Sequence, residues 1–247
     1  MSGDDGRPAV LVIQHHDDAG PGQLVAGLAA AGLRHEIWRP ADGRPLPARL
    51  DSHAGLVVLG GRMSANDTAS LPYLGSAKRL IADAADRGVP ALGICLGAQL
   101  AAAAFGGRVT RRPTGPRIGW RAVAGGEADS LTAELVPGAR LFYWHGDRYD
   151  PPAEAVQILD DWEAFRVGSV SAFQPHPEVT AEIIRAWCRT DGGMRELAEA
   201  GVSSRRMIDD AAVNDGFGGG ILARWCLEVR AELDRASGQP APVRGRA

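Results

Sequence analysis

The stretch Val89-Pro90-Ala91-Leu92-Gly93-Ile94-Cys95-Leu96-Gly97-Ala98-Gln99-Leu100 decides the fold. Residues 89–94 form an apolar run of the kind buried in the middle of a parallel sheet, and residues 96–104 are rich in Leu and Ala, which favour helix. Cys95 stands at the joint. A strand that turns this abruptly into a helix needs small neighbours, and Gly93 and Gly97 supply them. Such an elbow lifts the side chain out of the sheet. There it faces the unpaired N–H groups and positive end of the helix, which favour a thiolate over a thiol. Taken alone, the segment is equally compatible with a cysteine that ends a buried strand as a small hydrophobe.

Outward from the elbow the chain alternates strand and helix. Upstream, a helix over 76–87 leads into the strand 91–94, and the strand 56–59 feeds Gly60-Gly61. Before these come the continuous apolar run Ala9-Val10-Leu11-Val12-Ile13-Gln14, a helix over 21–31, a strand over 35–38 and a proline-rich loop over 40–50. This is βαβ logic. It predicts an α/β fold with a doubly wound, mostly parallel sheet, flanking helices, and a ligand crevice at the C-terminal edge of the strands. Gly61, Cys95 and His176 would all fall on that edge.

The 247 residues, 45% of them hydrophobic, suffice for one sizeable core. We read a flexible N-terminus (1–8), a catalytic domain (9–190), a C-terminal helical extension (191–236) and a flexible tail (237–247). A net charge of −3 argues against a general binder of nucleic acid or membranes. The three cysteines, 95, 188 and 226, are an odd number without close spacing, unlike a secreted disulfide framework. With no leader and no apolar run of membrane-spanning length, a cytoplasmic location is expected.

Far downstream, Gln174-Pro175-His176-Pro177-Glu178 places a carboxylate two residues after a histidine. The two prolines forbid helix, and in an extended segment residues two apart point to the same side. Glu178 can then orient the His176 imidazole while its other nitrogen faces Cys95, the arrangement an activated nucleophile requires.

On these motifs, together with Trp144-His145-Gly146-Asp147, the chain resembles the class I, or triad-type, glutamine amidotransferases, and among them stand-alone proteins similar to the amidotransferase domain of GMP synthetase. The motifs occur in that family's order over about residues 9–190. The resemblance implies a flavodoxin-like fold in which Cys95 attacks the glutamine side-chain amide, His176 shuttles the proton and Glu178 holds His176. It implies an oxyanion hole from the N–H groups of Gly61 and Leu96, and substrate contacts from Gln99 and from His145, Gly146 and Asp147. Departures from the family's pattern are Arg62 after Gly61, Arg117 before Ile118, and Pro175 before His176. Arg62 and Arg117 would then be contacts for a partner near the pocket mouth.

Other constellations are weaker. His15-His16-Asp17-Asp18 has metal-ligand residue types, but adjacent side chains diverge, so it reads as a polar loop at the pocket rim and no metal site is expected. Arg108, Arg111, Arg112 and Arg117 read as a solvated hairpin, with a phosphate-bearing acceptor or a partner protein as the alternative. Gly216 to Gly220 lacks the Lys-Ser/Thr pair of a phosphate loop and reads as a hinge between helices over 194–200 and 221–235. No cofactor fingerprint and no acceptor-activating domain is recognisable. The expected function is an amidotransferase that hydrolyses glutamine through a thioester on Cys95 and supplies ammonia to a separate synthetase or biosynthetic enzyme. The alternative is a γ-glutamyl peptidase or hydrolase using the same chemistry on a γ-glutamyl compound. An idle binding protein of this fold is disfavoured by the intact Cys95, His176 and Glu178.

Overall fold

The computed structural model describes residues 7–124, 129–133 and 135–238. In chain order these form β1 (Ala9–Ile13), α1 (Leu24–Ala30), β2 (Arg34–Trp38), β3 (Gly55–Val58), α2 (Pro72–Asp86), β4 (Ala91–Ile94), α3 (Leu96–Ala104), β5 (Arg108–Arg111) and β6 (Arg117–Ala122). The second half runs β7 (Arg140–His145), β8 (Asp147–Asp150), β9 (Val156–Leu159), β10 (Ala164–Val167), β11 (Val170–Phe173), α4 (Ala181–Cys188), α5 (Asp191–Ala200), α6 (Ser204–Asp209) and α7 (Ala211–Ala236). Most of residues 1–8 and 237–247, read from the sequence as flexible ends, lie outside the described residues. Of those that are described, Pro8 is tied down, its carbonyl accepting the Arg34 N–H.

The central sheet has strand order β2-β1-β3-β4-β11-β10-β9. From β2 through β11 the pairings are parallel, and β10 and β9 add an antiparallel edge. The sheet is therefore mostly parallel, with helices on both faces, as the alternation of the sequence predicts. Period-two alternation divides the core. Leu11, Ile13, Leu56 and Val58 pack toward α2 and α3, while Val10, Val12, Val57 and Leu59 pack toward α1 and α7. On α2 the buried Leu74, Ala77, Leu80, Ile81 and Ala84 recur at helical spacing and form its inner stripe. That helix starts at Pro72, ahead of the expected Ser76, because proline fits the first helical position, where its missing N–H costs nothing.

Two expectations are corrected. The arginines 108–117 do not form one hairpin: β5 pairs antiparallel with β8, and β6 with β7, in separate two-stranded sheets. Gly216 to Gly220 is not a hinge, because α7 runs through it unbroken from Ala211. Close packing explains these residues better than chain bending does. A Cβ on Gly218 would lie 2.3 Å from the Pro177 carbonyl oxygen, so the helix backbone sits directly on the loop that carries His176. Tertiary contact here overrides low helix propensity. The residues 191–236 complete the same body: Trp225, Cys226 and Val229 of α7 belong to the core beside α1, while Leu197 of α5 and Met207 of α6 join Ile118, Phe142 and Ile184 in a third cluster. Among the described residues no helix is long and apolar enough to cross a membrane.

The two kinds of glycine in α7 should respond oppositely to alanine. Gly218→Ala must displace a backbone carbonyl and should destabilise by about 1–3 kcal/mol. Gly220, where an added Cβ meets nothing within 4 Å, should gain up to about 1 kcal/mol from Gly220→Ala. Urea denaturation of both variants checks the pair of signs.

Candidate active site

Cys95 occupies the turn between β4 and α3 with φ 52° and ψ −102°, a strained conformation for a residue with a side chain. Two hydrogen bonds and two close glycine contacts hold it there. Its N–H donates to the Phe173 carbonyl at 2.8 Å, and its own carbonyl accepts from Gln99 N–H at 3.0 Å. A Cβ on Gly97 would fall 2.0 Å from the Val58 carbonyl oxygen, and one on Gly93 2.5 Å from the Gly97 carbonyl oxygen. Larger residues at 93 or 97 would push the first turn of α3 off the sheet.

His176 follows β11 and is pinned by its N–H, which donates to the Phe142 carbonyl at 2.7 Å. Its Nδ1–H donates to Glu178 Oε1 at 2.7 Å, the same-side arrangement expected of residues two apart, and both side chains are buried. Among the described residues Nε2 has no hydrogen-bond partner of ordinary geometry. Gly60 lies between the ring and the cysteine: a Cβ there would sit 2.8 Å from His176 Cε1 and 3.5 Å from Cys95 Cβ. Burial works against a charged imidazole, but the Glu178 carboxylate and the Cys95 sulfur more than offset it, and the His176 pKa rises from 6.5 to about 10. Trp187 of α4 packs edge-on against the ring at 4.9 Å.

These groups open into a cavity of about 690 Å³ that Gly60, Gly61, Cys95, Gln99, His145, Gly146, Asp147 and His176 all line. Leu96 does not line it but begins α3, and no acceptor among the described residues takes the N–H of Leu96 or Gly61. The Cys95 thiol points to the Trp144 carbonyl at 3.7 Å. Gln99 Nε2 donates to the Asp147 carbonyl at 3.3 Å and to Gln174 Oε1 at 3.4 Å. His145 donates from Nδ1 to the Asp147 carbonyl at 2.6 Å, while its Nε2 is buried without a partner. Burial holds the His145 pKa down at about 3 despite that bond, so the ring is neutral and a weak base. His176 and His145 thus differ in kind.

Sequence reasoning placed two arginines at the pocket mouth, and the structure places one there. Arg62 lines the cavity and pairs with Asp18. Arg117 instead pairs with Glu163, with its guanidinium 4.2 Å over the Tyr143 ring, so it is an internal strut. Residues that the motifs did not single out also reach the cavity. Arg111 lies 3.6 Å from Asp147 and against Gly146, and Trp187, Arg195 and Glu196 come from α4 and α5. No local sequence signal placed Arg111 or α5 at the cavity; Arg111 arrives there because β5 pairs with β8 in the register that sets it opposite Asp147. In the 15–18 segment His15 shares a 3.1 Å hydrogen bond with Tyr73, Asp17 is 3.5 Å from Arg39, and His16 and Asp18 reach the cavity rim. Among the described residues no group of three or more His, Cys, Asp or Glu side chains converges as a metal site. Burial raises the thiol pKa of Cys188, and raises that of Cys226 to about 12.

A strained cysteine on a strand-to-helix turn, a buried histidine held by a carboxylate and a cavity lined by both form one site. The model of the glutamine amidotransferase class-I family matches residues 22–185, more than half of the chain, and the chain belongs to that family. Of relatives within it, a glutamine-hydrolyzing GMP synthase subunit from Sulfolobus acidocaldarius is 35% identical over 98 residues, 37% of this chain and 52% of that one. The chain thus spans about half the length of that relative. The imidazole glycerol phosphate synthase subunit HisH of Moorella thermoacetica is 29% identical over 194 residues, 70% of this chain and 88% of that one. A crystal structure of a glutamine amidotransferase from Thermotoga maritima superposes with a TM-score of 0.82 at 26% identity, covering 91% of this chain and 98% of the other.

The buried histidines set opposite pH limits on stability. His15 and His145, both held near pKa 3 mainly by burial, bind a proton more readily when unfolded, so stability is lost as pH falls below 6.5 and the loss is complete below about 3. His176, raised to about 10, contributes stability that is whole below 6.5 and disappears as pH rises toward 10. Unfolding free energy should therefore peak near pH 6.5, with each neutral histidine costing about 1 kcal/mol per pH unit on the acid side. Denaturation of the wild type and of His15→Asn from pH 4 to 9 should show a shallower acid limb in the variant.

Proposed function

We propose that this protein is a glutaminase of the amidotransferase type, with Cys95 as nucleophile, and that residues 9–190 form its catalytic domain with 191–236 as a helical extension. The observation that carries the reading is the partnerless Nε2 of His176, buried beside Cys95 while Nδ1 is fixed on Glu178. A base must present one free nitrogen to the nucleophile, and the carboxylate on the other stabilises the imidazolium that forms. His176, its pKa raised to about 10, already holds the thiol proton on Nε2, and the Cys95 sulfur bonds as thiolate to the side-chain carbonyl carbon of glutamine while the carbonyl π pair moves onto oxygen. The oxygen that becomes negative is met by the N–H groups of Gly61 and Leu96, donors already in place before the reaction. His176 then protonates the departing nitrogen, the C–N bond breaks, and ammonia leaves a γ-glutamyl thioester on Cys95. Water, deprotonated by His176, attacks the thioester, and glutamate leaves as sulfur recovers its proton. Gln99 and the 144–147 segment hold the amino-acid end, with Arg111 placed to meet the substrate carboxylate.

The ammonia acceptor belongs to a separate synthetase or biosynthetic enzyme, a reading supported by the similarity to a GMP synthase subunit and to an imidazole glycerol phosphate synthase subunit. A second reading keeps the thioester and changes the amide. The cavity volume is in the range that encloses ligands far larger than an amino acid, and Arg195 and Glu196 line it, which favours a γ-glutamyl peptide or conjugate. The two readings separate in one assay. Ammonia donation predicts slow glutamine hydrolysis by the isolated chain and stimulation by the acceptor enzyme with its substrates; much faster cleavage of γ-glutamyl peptides without a partner would replace it with the peptidase reading.

The residue roles are tested separately. A glutamine-derived diazo-ketone should add its mass at Cys95 and at neither Cys188 nor Cys226, and labelling at Cys188 would sink the assignment. His176→Ala should lower turnover by about two to four orders of magnitude, Glu178→Gln by less, and His145→Ala should leave a working base. Equal or reversed losses in His176→Ala and Glu178→Gln would mean that Glu178 is not simply the orienter or that His145 is the base.

A further inference from the structure

On the opposite side of the oxyanion turn from the reaction cavity, the chain forms a second, open groove of about 920 Å³ between the loop after β2 and the first turns of α2. Its charge is one-sided. Arg44, Lys78 and Arg79 line it and no acidic side chain does. Lys78 is the sole lysine of the sequence, and among the described residues its ammonium hydrogen-bonds only to the Ala65 carbonyl, at 3.4 Å; the Arg79 guanidinium does so only to the Ser76 hydroxyl, at 3.0 Å. Neither has a carboxylate within ion-pair distance among those residues. Arg44 has two, Glu36 and Asp42, but at 3.8–3.9 Å and across a solvent-facing edge. Lys78 and Arg79, neighbours without a carboxylate partner among the described residues, repel one another, a cost that a bound anion removes. Its aromatic lining is Tyr73, half-buried and backed by the core residue Trp38 at a centroid distance of 5.5 Å, and prolines 40, 45 and 72 line it as well.

Tyr73 belongs to both sides. Its ring lines the groove, and its hydroxyl shares the 3.1 Å hydrogen bond with His15 Nδ1. His15 is buried directly behind the oxyanion turn, its Cβ 3.2 Å from where a Cβ on Gly61 would stand. A ligand pressed on the Tyr73 ring therefore pushes on the support of the Gly61 N–H. We propose that this groove binds a small anion that carries a phosphate ester on a flat ring, and that its occupancy tunes the oxyanion turn through Tyr73 and His15. Phosphate suits the adjacent Lys78 and Arg79, with Arg44 lining the same groove, and a flat ring suits the partly exposed face of Tyr73. Binding stands independently of the glutaminase reading above, whereas an effect on turnover rests on it.

The test is calorimetric titration of the full chain with phenyl phosphate, inorganic phosphate and phenol at fixed ionic strength. Saturable binding of one phenyl phosphate, tighter than inorganic phosphate and absent for phenol, is expected. Lys78→Ala combined with Arg79→Ala should weaken it by about tenfold or more, while ligand-free glutamine hydrolysis stays at the wild-type rate. No saturable binding, or undiminished binding in the double variant, overturns the site. Coupling is read two ways, from the KM and kcat for glutamine and from backbone hydrogen exchange over residues 59–62. Phenyl phosphate should change both several-fold in the wild type and neither in Tyr73→Phe, which should still bind it. Exchange that ignores the ligand overturns the coupling even if the chain proves to have no glutaminase activity. A response that survives in Tyr73→Phe overturns the route.

Discussion

The seat of α3 on the ends of β3 and β4 is the contact on which the rest of the site depends. The Gly97 backbone lies against the Val58 carbonyl so closely that no side chain fits, and this fixes where the helix starts. Cys95 is then forced into a positive φ, a strain that costs on the order of 1–3 kcal/mol and persists only because the surrounding packing over-determines it. The same seat leaves the first N–H of α3 without a partner among the described residues, and the Leu96 side chain packs against Gly61, where the chain leaves β3. Register carries the constraint further. β11 pairs in parallel with β4, Phe173 opposite Ile94, so the chain leaving β11 arrives at the cysteine with Gln174 and His176 on hand.

Charge is handled differently at the two buried pairs. His176 and Glu178 are desolvated together, which is expensive unless each satisfies the other, and removal of either leaves an uncompensated group. Arg117 and Glu163 form a second pair against Tyr143. Burial pushes the Glu163 pKa up while Arg117 pulls it down, and burial prevails. That pair ties β6 to the turn before β10 and so braces β7, whose last residues form the pocket floor. The first pair reaches the reaction cavity through His176, whereas neither member of the second lines it. That difference separates a reactive pair from a structural one.

The C-terminal helices are part of the site's construction. α7 presses glycine onto the Pro177 carbonyl, while the Gln23 N–H at the start of α1 takes the Glu178 carbonyl at 3.0 Å. The loop bearing His176 is therefore clamped from both flanks. α5, capped by the Thr190 hydroxyl on the Gly193 N–H at 3.0 Å, brings Arg195 and Glu196 to the cavity, and Glu196 accepts from the Trp144 indole. Residues well beyond the matched family segment thus shape the outer half of the pocket.

By itself the sequence determined the alternation of strands and helices, the elbow, and the pairing of His176 with Glu178. Each of these is local: hydrophobic period, glycine spacing and the two-residue repeat of an extended chain are properties of neighbours along the backbone. Tertiary structure decided what depends on residues meeting across the chain. Arg108 to Arg117 looked like a hairpin, but its strands found partners in β8 and β7, because sheet pairing is chosen by the whole fold. The glycines of α7 looked like a break, and packing on Pro177 turned them into a contact surface. Arg117 and Arg62 looked alike as charges near a motif. Only the placement of Glu163 and Asp18 separated them, since the destination of a long charged side chain is set by the partner it can reach.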